Sequence, residues 1–438
     1  MNLDIISRAS ARSKRVFYGW WIVAAGLFIN AFGIGTFFYG FSTFFNPMIA
    51  EFGWSRTVMS GVFSLSRLEG GIEGPVAGWL TDKFGARKIL LVGVTIAGIG
   101  FILLWLVNSP VSLYLIFGLL LSLGYNLGYT HATGAAVAKW FIKKRGRALS
   151  FLITGNGIGG AIFVPLIAWL IIQFGWRVST VIIGLATLAF PLPLGLIMRS
   201  TPEEMGLVPD GRTSRNEGSL LENGSTPTGS MSSTPPDEVN FTVREAMRTR
   251  TFWIYVASMM LRSCILSSIV VHQIPHLTDI GIPYQTASSV LGLMVLISVP
   301  GRFFFGWLGD RFDKKVLLLL LCLLQGAGIF IFIHANTLPL LYLFVVVYGL
   351  GYGGVIPLTL ALRADLFGRR YYATIAGITT ALTMVGTVAA PVFAGYLYDV
   401  SQSYSLAFYI FMAMICLSGI LFLFIPQPSP PKRYSSVI

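Results

Sequence analysis

Six ionisable side chains stand inside long apolar stretches of the 438-residue chain: Arg67, Glu69, Glu73, Arg262, Arg302 and Arg363. An ionisable group in hydrocarbon is expensive, so such residues mark substrate paths, proton carriers or internal ion pairs. Arg302 lies eight residues before Asp310, about 12 Å along a helix, which puts it near the middle of its span. A guanidinium stays charged and can grip a carboxylate through two parallel hydrogen bonds; the competing reading is an internal salt bridge with Glu69 or Glu73. Those two glutamates are four residues apart and share a helix face. Two carboxylates so close in low dielectric resist double ionisation, so one could hold a proton and couple its movement to substrate. The alternative is that they neutralise Arg67, Arg262 or Arg302. Arg67 lies on a different face from both glutamates and has the weakest functional case.

Arg262, eleven residues into the seventh apolar span, is a second carboxylate site or a partner for Glu69 or Glu73. Arg363 stands beside Asp365, Arg369 and Arg370, where its stem can snorkel and brace a loop. The fourth span carries Tyr125, Asn126, Tyr129 and His131, and the tenth carries Tyr348 and Tyr352. Each tyrosine pair shares a helix face and could present hydroxyls to a small anion, or simply pack between helices. His272 and His276, toward the outer end of the seventh span, titrate in the range of a proton relay, although an outer histidine is more often only solvated.

Several chemistries are excluded. Gly155-Asn156-Gly157-Ile158-Gly159-Gly160 satisfies G-x-G-x-x-G, yet apolar residues flank it on both sides and no acidic residue follows about 20 positions later. Small residues there let membrane helices approach closely, the use also expected for Gly70, Gly74, Gly78 and the row from Gly349 to Gly354. Cys264, Cys322 and Cys416 lack metal-ligand spacing and read as reduced packing residues. No nucleophile, metal-ligand or phosphate-loop constellation appears, so neither an enzyme nor a cofactor is expected, and the energy source is not ATP.

The elements that hold these residues follow from composition. At 55% hydrophobic and 11% charged residues the chain cannot cover a globule with polar surface, so lipid is its solvent. A bilayer core of about 30 Å needs about 20 apolar residues per helix. Such windows fall near 18–46, 56–80, 88–107, 111–138, 147–173, 177–198, 251–277, 285–309, 315–334, 338–366, 373–398 and 404–425. The net charge of +13 lies between these runs and argues for anionic headgroups rather than nucleic acid. Of 31 Lys and Arg, 25 fall in the tails, alternate loops and central loop, four within spans, and only Arg56 and Arg177 in the opposite loops, which makes both termini cytoplasmic. The basic start (Arg8, Arg12, Lys14, Arg15) precedes a run too long for a signal peptide. Residues 199–250, rich in Ser, Thr, Pro and Gly, read as a cytoplasmic linker in which the sequons at Asn223 and Asn240 stay unmodified. The chain divides into an N-terminal tail (1–17), a six-helix bundle (18–198), the linker, a second bundle (251–425) and a C-terminal tail (426–438).

The bundles are copies. Gly78-Trp79-Leu80-Thr81-Asp82-Lys83-Phe84, with Arg87 and Lys88 after it, returns 228 positions later as Gly306-Trp307-Leu308-Gly309-Asp310-Arg311-Phe312, followed by Lys314 and Lys315. Leu123-Gly124-Tyr125 matches Leu350-Gly351-Tyr352, and Pro165 matches Pro391. Two parallel six-helix halves with a midplane site resemble the major facilitator superfamily, and the repeated phrases look like its loop between the second and third helix of each half. Tyr18-Gly19-Trp20-Trp21, Phe52-Gly53-Trp54-Ser55-Arg56 and the run from Trp140 through Ala148 into Gly155 are similar to the monocarboxylate porters and their oxalate/formate-antiporter-like relatives.

That resemblance implies an all-α membrane protein of twelve spans in two pseudo-symmetric bundles, a multi-pass protein of a cell membrane working as a single chain by alternating access. It implies a small monocarboxylate such as lactate or pyruvate moving with a proton. Arg302 would bind the carboxylate as the family's arginine does, with Tyr125, Asn126, Tyr129, Tyr352 and Arg262 around it. Glu69 or Glu73 would carry the proton, and Gly78, Asp82, Arg87, Gly306, Asp310 and Arg311 would form the gating loops. Eukaryotic members commonly carry an acidic residue four positions before this arginine, where Ser298 stands here. The alternatives are exchange of oxalate/formate type, whose second cation is a lysine in the eleventh helix that residues 373–398 lack, and a membrane sensor that does not transport.

Overall fold

The computed structural model describes residues 17–141, 144–211, 240–368 and 371–431. Among these, ten helices are long and apolar enough to cross a membrane. One of the ten is a rod, Arg145–Ala189, that breaks at Gly175 (φ +75°, ψ 162°), a conformation a side chain would resist, and so contains two spans. A further helix, Arg56–Phe84, spans the same layer but is made less apolar by Arg67, Glu69, Glu73 and Lys83. Dividing the rod and adding that helix brings the spans to twelve, close to the windows read from hydropathy.

We label them α1 (Tyr18–Phe52), α2 (Arg56–Phe84), α3 (Ala86–Leu106), α4 (Pro110–Trp140), α5 (145–174), α6 (176–197), α7 (Arg250–Asp279), α8 (Tyr284–Gly309), α9 (Lys314–His334), α10 (Leu338–Phe367), α11 (Tyr372–Ser401) and α12 (Ser405–Leu423). Buried apolar residues form two large clusters, one for α1–α6 and one for α7–α12. Tyr39 and Val164 belong to the second cluster and Val271 to the first, which marks where the halves meet.

Helices in lipid gain little from hydrophobic burial against each other and associate by close packing. A Cβ at Gly155 would sit 2.5 Å from the Leu27 carbonyl oxygen and one at Gly159 2.0 Å from that of Ala31, so this glycine run seats α5 against α1. The repeated phrases fold alike. Lys83 lies 4.7 Å from the Trp79 ring and Arg311 4.0 Å from that of Trp307, the same one-turn cation–π contact in each half. Both tryptophans are exposed, as expected of an interfacial belt.

The linker is not wholly independent of the bundles. Thr242 and Glu245 form a reciprocal cap on the short helix Val243–Met247, and the Phe241 amide donates to the Phe367 carbonyl at 3.0 Å, docking residues 240–247 onto the C-terminal half. Asn240 is buried there. The sequon at Asn223, the tail residues Arg8, Arg12, Lys14 and Arg15, the pair Arg369 and Arg370, and the side chains of Asp82 and His131 lie outside the described residues.

Candidate functional site

Near the middle of the molecule the halves meet through two tyrosines. The Tyr39 hydroxyl of α1 is 3.2 Å from the Tyr352 hydroxyl of α10, and both side chains are buried. Tyr39 is also within electrostatic reach of Arg302 on α8 and Tyr125 on α4. Tyr125 stacks on Phe37 with ring centroids 4.5 Å apart. α1 and α4 both widen to i→i+5 turns here, over Ile34–Tyr39 and Asn126–His131, a local geometry that often accompanies functional sites. The arrangement gathers Arg302, Tyr125 and Tyr352, with Tyr39 as a residue the sequence reading missed. Its one signal was a hydroxyl in the otherwise apolar Phe37-Phe38-Tyr39 run of the first span.

Arg302 donates from Nη2 to Ser298 Oγ at 3.3 Å, and its Nε is buried without a partner. Ion pairs join Arg56 to Asp279, Arg177 to Glu51 and Lys314 to Asp365, and among the described residues none of the internal salt bridges considered for Arg67, Arg262 and Arg302 is formed. The reason is placement. Glu69 lies beside Ser122, and Glu73 beside Asn126 without an aligned hydrogen bond, so both glutamates face α4 inside their own half. Both Glu73 oxygens are buried without a donor.

Arg67 is more central than its helix face suggested. Its guanidinium carbon lies 5.0 to 5.6 Å from the rings of Phe37, Phe38 and Phe63, near Tyr125 and Glu69, and Nε and Nη2 have no partner. Arg262 instead bears on Tyr348, Cys322 and Tyr255 within the C-terminal half. Tyr129 stacks toward Tyr125 but packs against Gly33, with its hydroxyl toward Thr187 of α6. Arg363 is buried and donates to the Tyr372 hydroxyl at 2.7 Å, while its neighbour Asp365 takes Lys314 at 2.8 Å. At the repeated loops, Gly306 approaches Pro357, Asp310 is exposed, and the Arg87 amide donates to Ser200 Oγ at 3.2 Å.

At the end remote from the Gly-Trp-Leu loops the halves are tied by a hydrogen-bonded lock. Asp399 of α11 accepts from the Arg56 and Thr57 amides, both at 2.9 Å, so a carboxylate from one half caps the N-terminus of α2 in the other. The Arg56 side chain reaches Asp279 at 2.8 Å and the Tyr404 hydroxyl at 2.7 Å, and lies 3.7 Å from the Tyr398 ring centroid. His272, expected to be solvated, is fully buried below this lock, 3.0 Å from the Tyr404 hydroxyl, 2.9 Å from the Pro391 carbonyl oxygen and 3.3 Å from Ser60 Oγ. His276 is packed by Phe332, Phe408 and Tyr404.

The α2–α11 seam is tightly packed next to the lock. A Cβ at Gly395 would lie 2.8 Å from the Arg56 carbonyl oxygen and one at Gly71 would strike Met384, whereas those at Gly78 and Gly377 meet nothing within 4 Å.

The sequence matches the Major Facilitator Superfamily over residues 23–275 and 251–437. Among curated proteins it is similar to rat monocarboxylate transporter 13 (26% identity, covering 92% of this chain and 88% of the relative), mouse monocarboxylate transporter 12 (27%, 95% and 87%) and human monocarboxylate transporter 11 (24%, 94% and 84%). Among solved structures it resembles a bacterial homolog of the human lysosomal transporter Spinster in an inward-facing, unoccupied conformation (TM-score 0.71, 16% identity, 94% of this chain and 97% of the other). It also resembles a D-xylose–proton symporter (TM-score 0.67, 15% identity, 94% and 99%). At these identities the structural likeness speaks to fold.

Proposed function

The chain belongs to the major facilitator superfamily, and from that premise we propose that it carries a small monocarboxylate, of lactate or pyruvate type, across the membrane together with a proton. The observation that carries the reading is Arg302: a half-buried guanidinium with a buried, unpartnered Nε and no carboxylate within salt-bridge distance among the described residues, beside the hydroxyl pair that joins the halves. A cation left without a counter-charge in low dielectric is stabilised by an arriving carboxylate, and a guanidinium is suited to grip one by two parallel bonds. Tyr352, Tyr125 and Tyr39 supply hydroxyls around that anion and belong to both halves, so their separation during rocking would release it.

Proton coupling is assigned to Glu73 with Glu69. With both Glu73 oxygens buried and without a donor, gain or loss of a proton there changes the charge inside the N-terminal half directly. The Arg56–Asp399–Asp279 lock ties the halves at one end, as a state of an alternating cycle closed on that side would. By the distribution of Lys and Arg both termini are cytoplasmic and the lock lies on the opposite side. The curated relatives named as monocarboxylate transporters support the substrate class.

The test is uptake of labelled lactate into sealed vesicles under an inward proton gradient. Arg302→Ala is expected to lower uptake at least about a hundredfold, the scale of removing one member of a buried charged pair. Uptake indifferent to lactate would overturn the substrate, and an unaffected Arg302→Ala would overturn the site.

A further inference from the structure

Arg262 of α7 is a buried cation that the carboxylate site does not use. It is 9% exposed, and its Nε and Nη1 are buried without a partner. Its electrostatic neighbours are Tyr348 of α10, Cys322 of α9 and Tyr255 of its own helix, which places the guanidinium inside the C-terminal bundle. Tyr348 is fully buried, and its hydroxyl also lacks a partner. Two guanidinium nitrogens, bearing three N–H groups, and a phenol O–H are therefore left undonated in one region of a core.

The acidic residues of this half cannot supply the missing charge. Asp279 pairs with Arg56, Asp365 with Lys314, and Asp399 caps α2. Asp313 accepts from the Lys315 amide at 2.7 Å, Glu245 accepts from the Thr242 amide at 2.7 Å, and Asp310 is exposed in its loop. Glu69 and Glu73 face α4 in the other half. Water could satisfy the donors, but it would leave the charge. An unpaired buried charge costs several kcal/mol, so a diffusible counter-ion is favoured at such a position.

We propose that Arg262 and Tyr348 hold a small inorganic anion of halide type inside the C-terminal half, separate from the carboxylate bound at Arg302. A monatomic anion accepts from N–H and O–H donors arriving from different helices and needs no room for a second oxygen. It would tie α7 to α10 and neutralise the C-terminal core. The proposal does not depend on the substrate reading, because it concerns a different arginine and has a readout other than transport.

The experiment is thermal unfolding of the full-length chain in nanodiscs in sodium chloride or bromide, compared with gluconate at equal ionic strength. Ligand linkage predicts a saturable rise in Tm of several degrees with either halide and none with gluconate. Arg262→Gln should abolish the rise, Tyr348→Phe should weaken halide affinity by about fivefold, the scale of one hydrogen bond, and Arg302→Gln should leave it intact. A rise that survives in both Arg262→Gln and Tyr348→Phe, or that gluconate reproduces, overturns the site. So does a lactate-dependent rise that Arg262→Gln abolishes without any halide effect, since that would make Arg262 a substrate residue. Should Arg262→Gln fail to yield folded protein, Tyr348→Phe decides: halide affinity equal to that of the parent chain refutes the proposal.

Discussion

The interiors of the two halves differ in sign. In the N-terminal half Glu69 and Glu73 face α4 beside Ser122 and Asn126, with Arg67 held among Phe37, Phe38 and Phe63. In the C-terminal half Arg262 is buried in the core and Arg302 half-buried beside Tyr39, while the acidic residues there cap helices, pair at the ends or lie exposed. The backbones remain copies: Trp79 and Trp307 each receive a cation from one turn on, and Tyr125 and Tyr352 occupy matching positions. Pseudo-symmetry therefore belongs to the scaffold and not to its charge. Under the proposed function, the proton and the anion would each be handled in a different half and coupled through the interface.

Removing the acidic member should break this division most completely. Glu73→Gln would remove the proposed proton site while keeping shape, so lactate accumulation against its gradient is expected to vanish while exchange of lactate across the membrane persists. Vesicles preloaded with unlabelled lactate separate the two readouts. Accumulation retained in that variant would move coupling to Glu69 or elsewhere.

The next effect tests the interface between the halves. Asp399→Asn removes the negative charge that caps α2 across the seam, a loss of about 1–2 kcal/mol, or roughly five- to thirtyfold in the balance between locked and open states. Spin labels at Trp54 and Ser403, on a cysteine-free background, should report a larger population with the two loops apart. An unchanged distance distribution would show that Arg56 with Asp279 and Tyr404 holds the seam alone.

The smallest expected change is at the hydroxyl pair. Tyr39→Phe keeps the ring and removes one bond to Tyr352, worth about 1 kcal/mol, so the lactate KM should rise about fivefold with little loss of fold stability. An equal effect on uptake of a neutral solute of similar size would mean that the pair sets helix geometry and not anion affinity.

Much of the scaffold could be read from the chain because it follows from local rules. Apolar runs of span length, basic loops on alternate connections and a phrase repeated at 228 positions are carried by near neighbours in sequence and need no folded partner to be recognised. The helix face shared by Glu69 and Glu73 was equally legible, since helical periodicity sets it. Periodicity does not say which neighbouring helix that face meets. The same limit hid the placement of Arg67, which the sequence set apart from the glutamates and the fold lodged in an aromatic cage near Tyr125.

His272 illustrates the point at the closed end. By position it was an outer histidine, a relay candidate or simply solvated, and α2, α11 and α12 bury it completely with Ser60, Pro391 and Tyr404. The chain by itself determined the membrane class, the twelve spans, the two copies and the short list of charges that hydrocarbon must tolerate. Only the tertiary structure decided which charges lack partners, that Tyr39 meets Tyr352, and that Asp399 caps a helix more than 340 residues away. Side-chain pairing inside a bundle is set by contacts between segments remote in sequence, and no spacing along one helix encodes them.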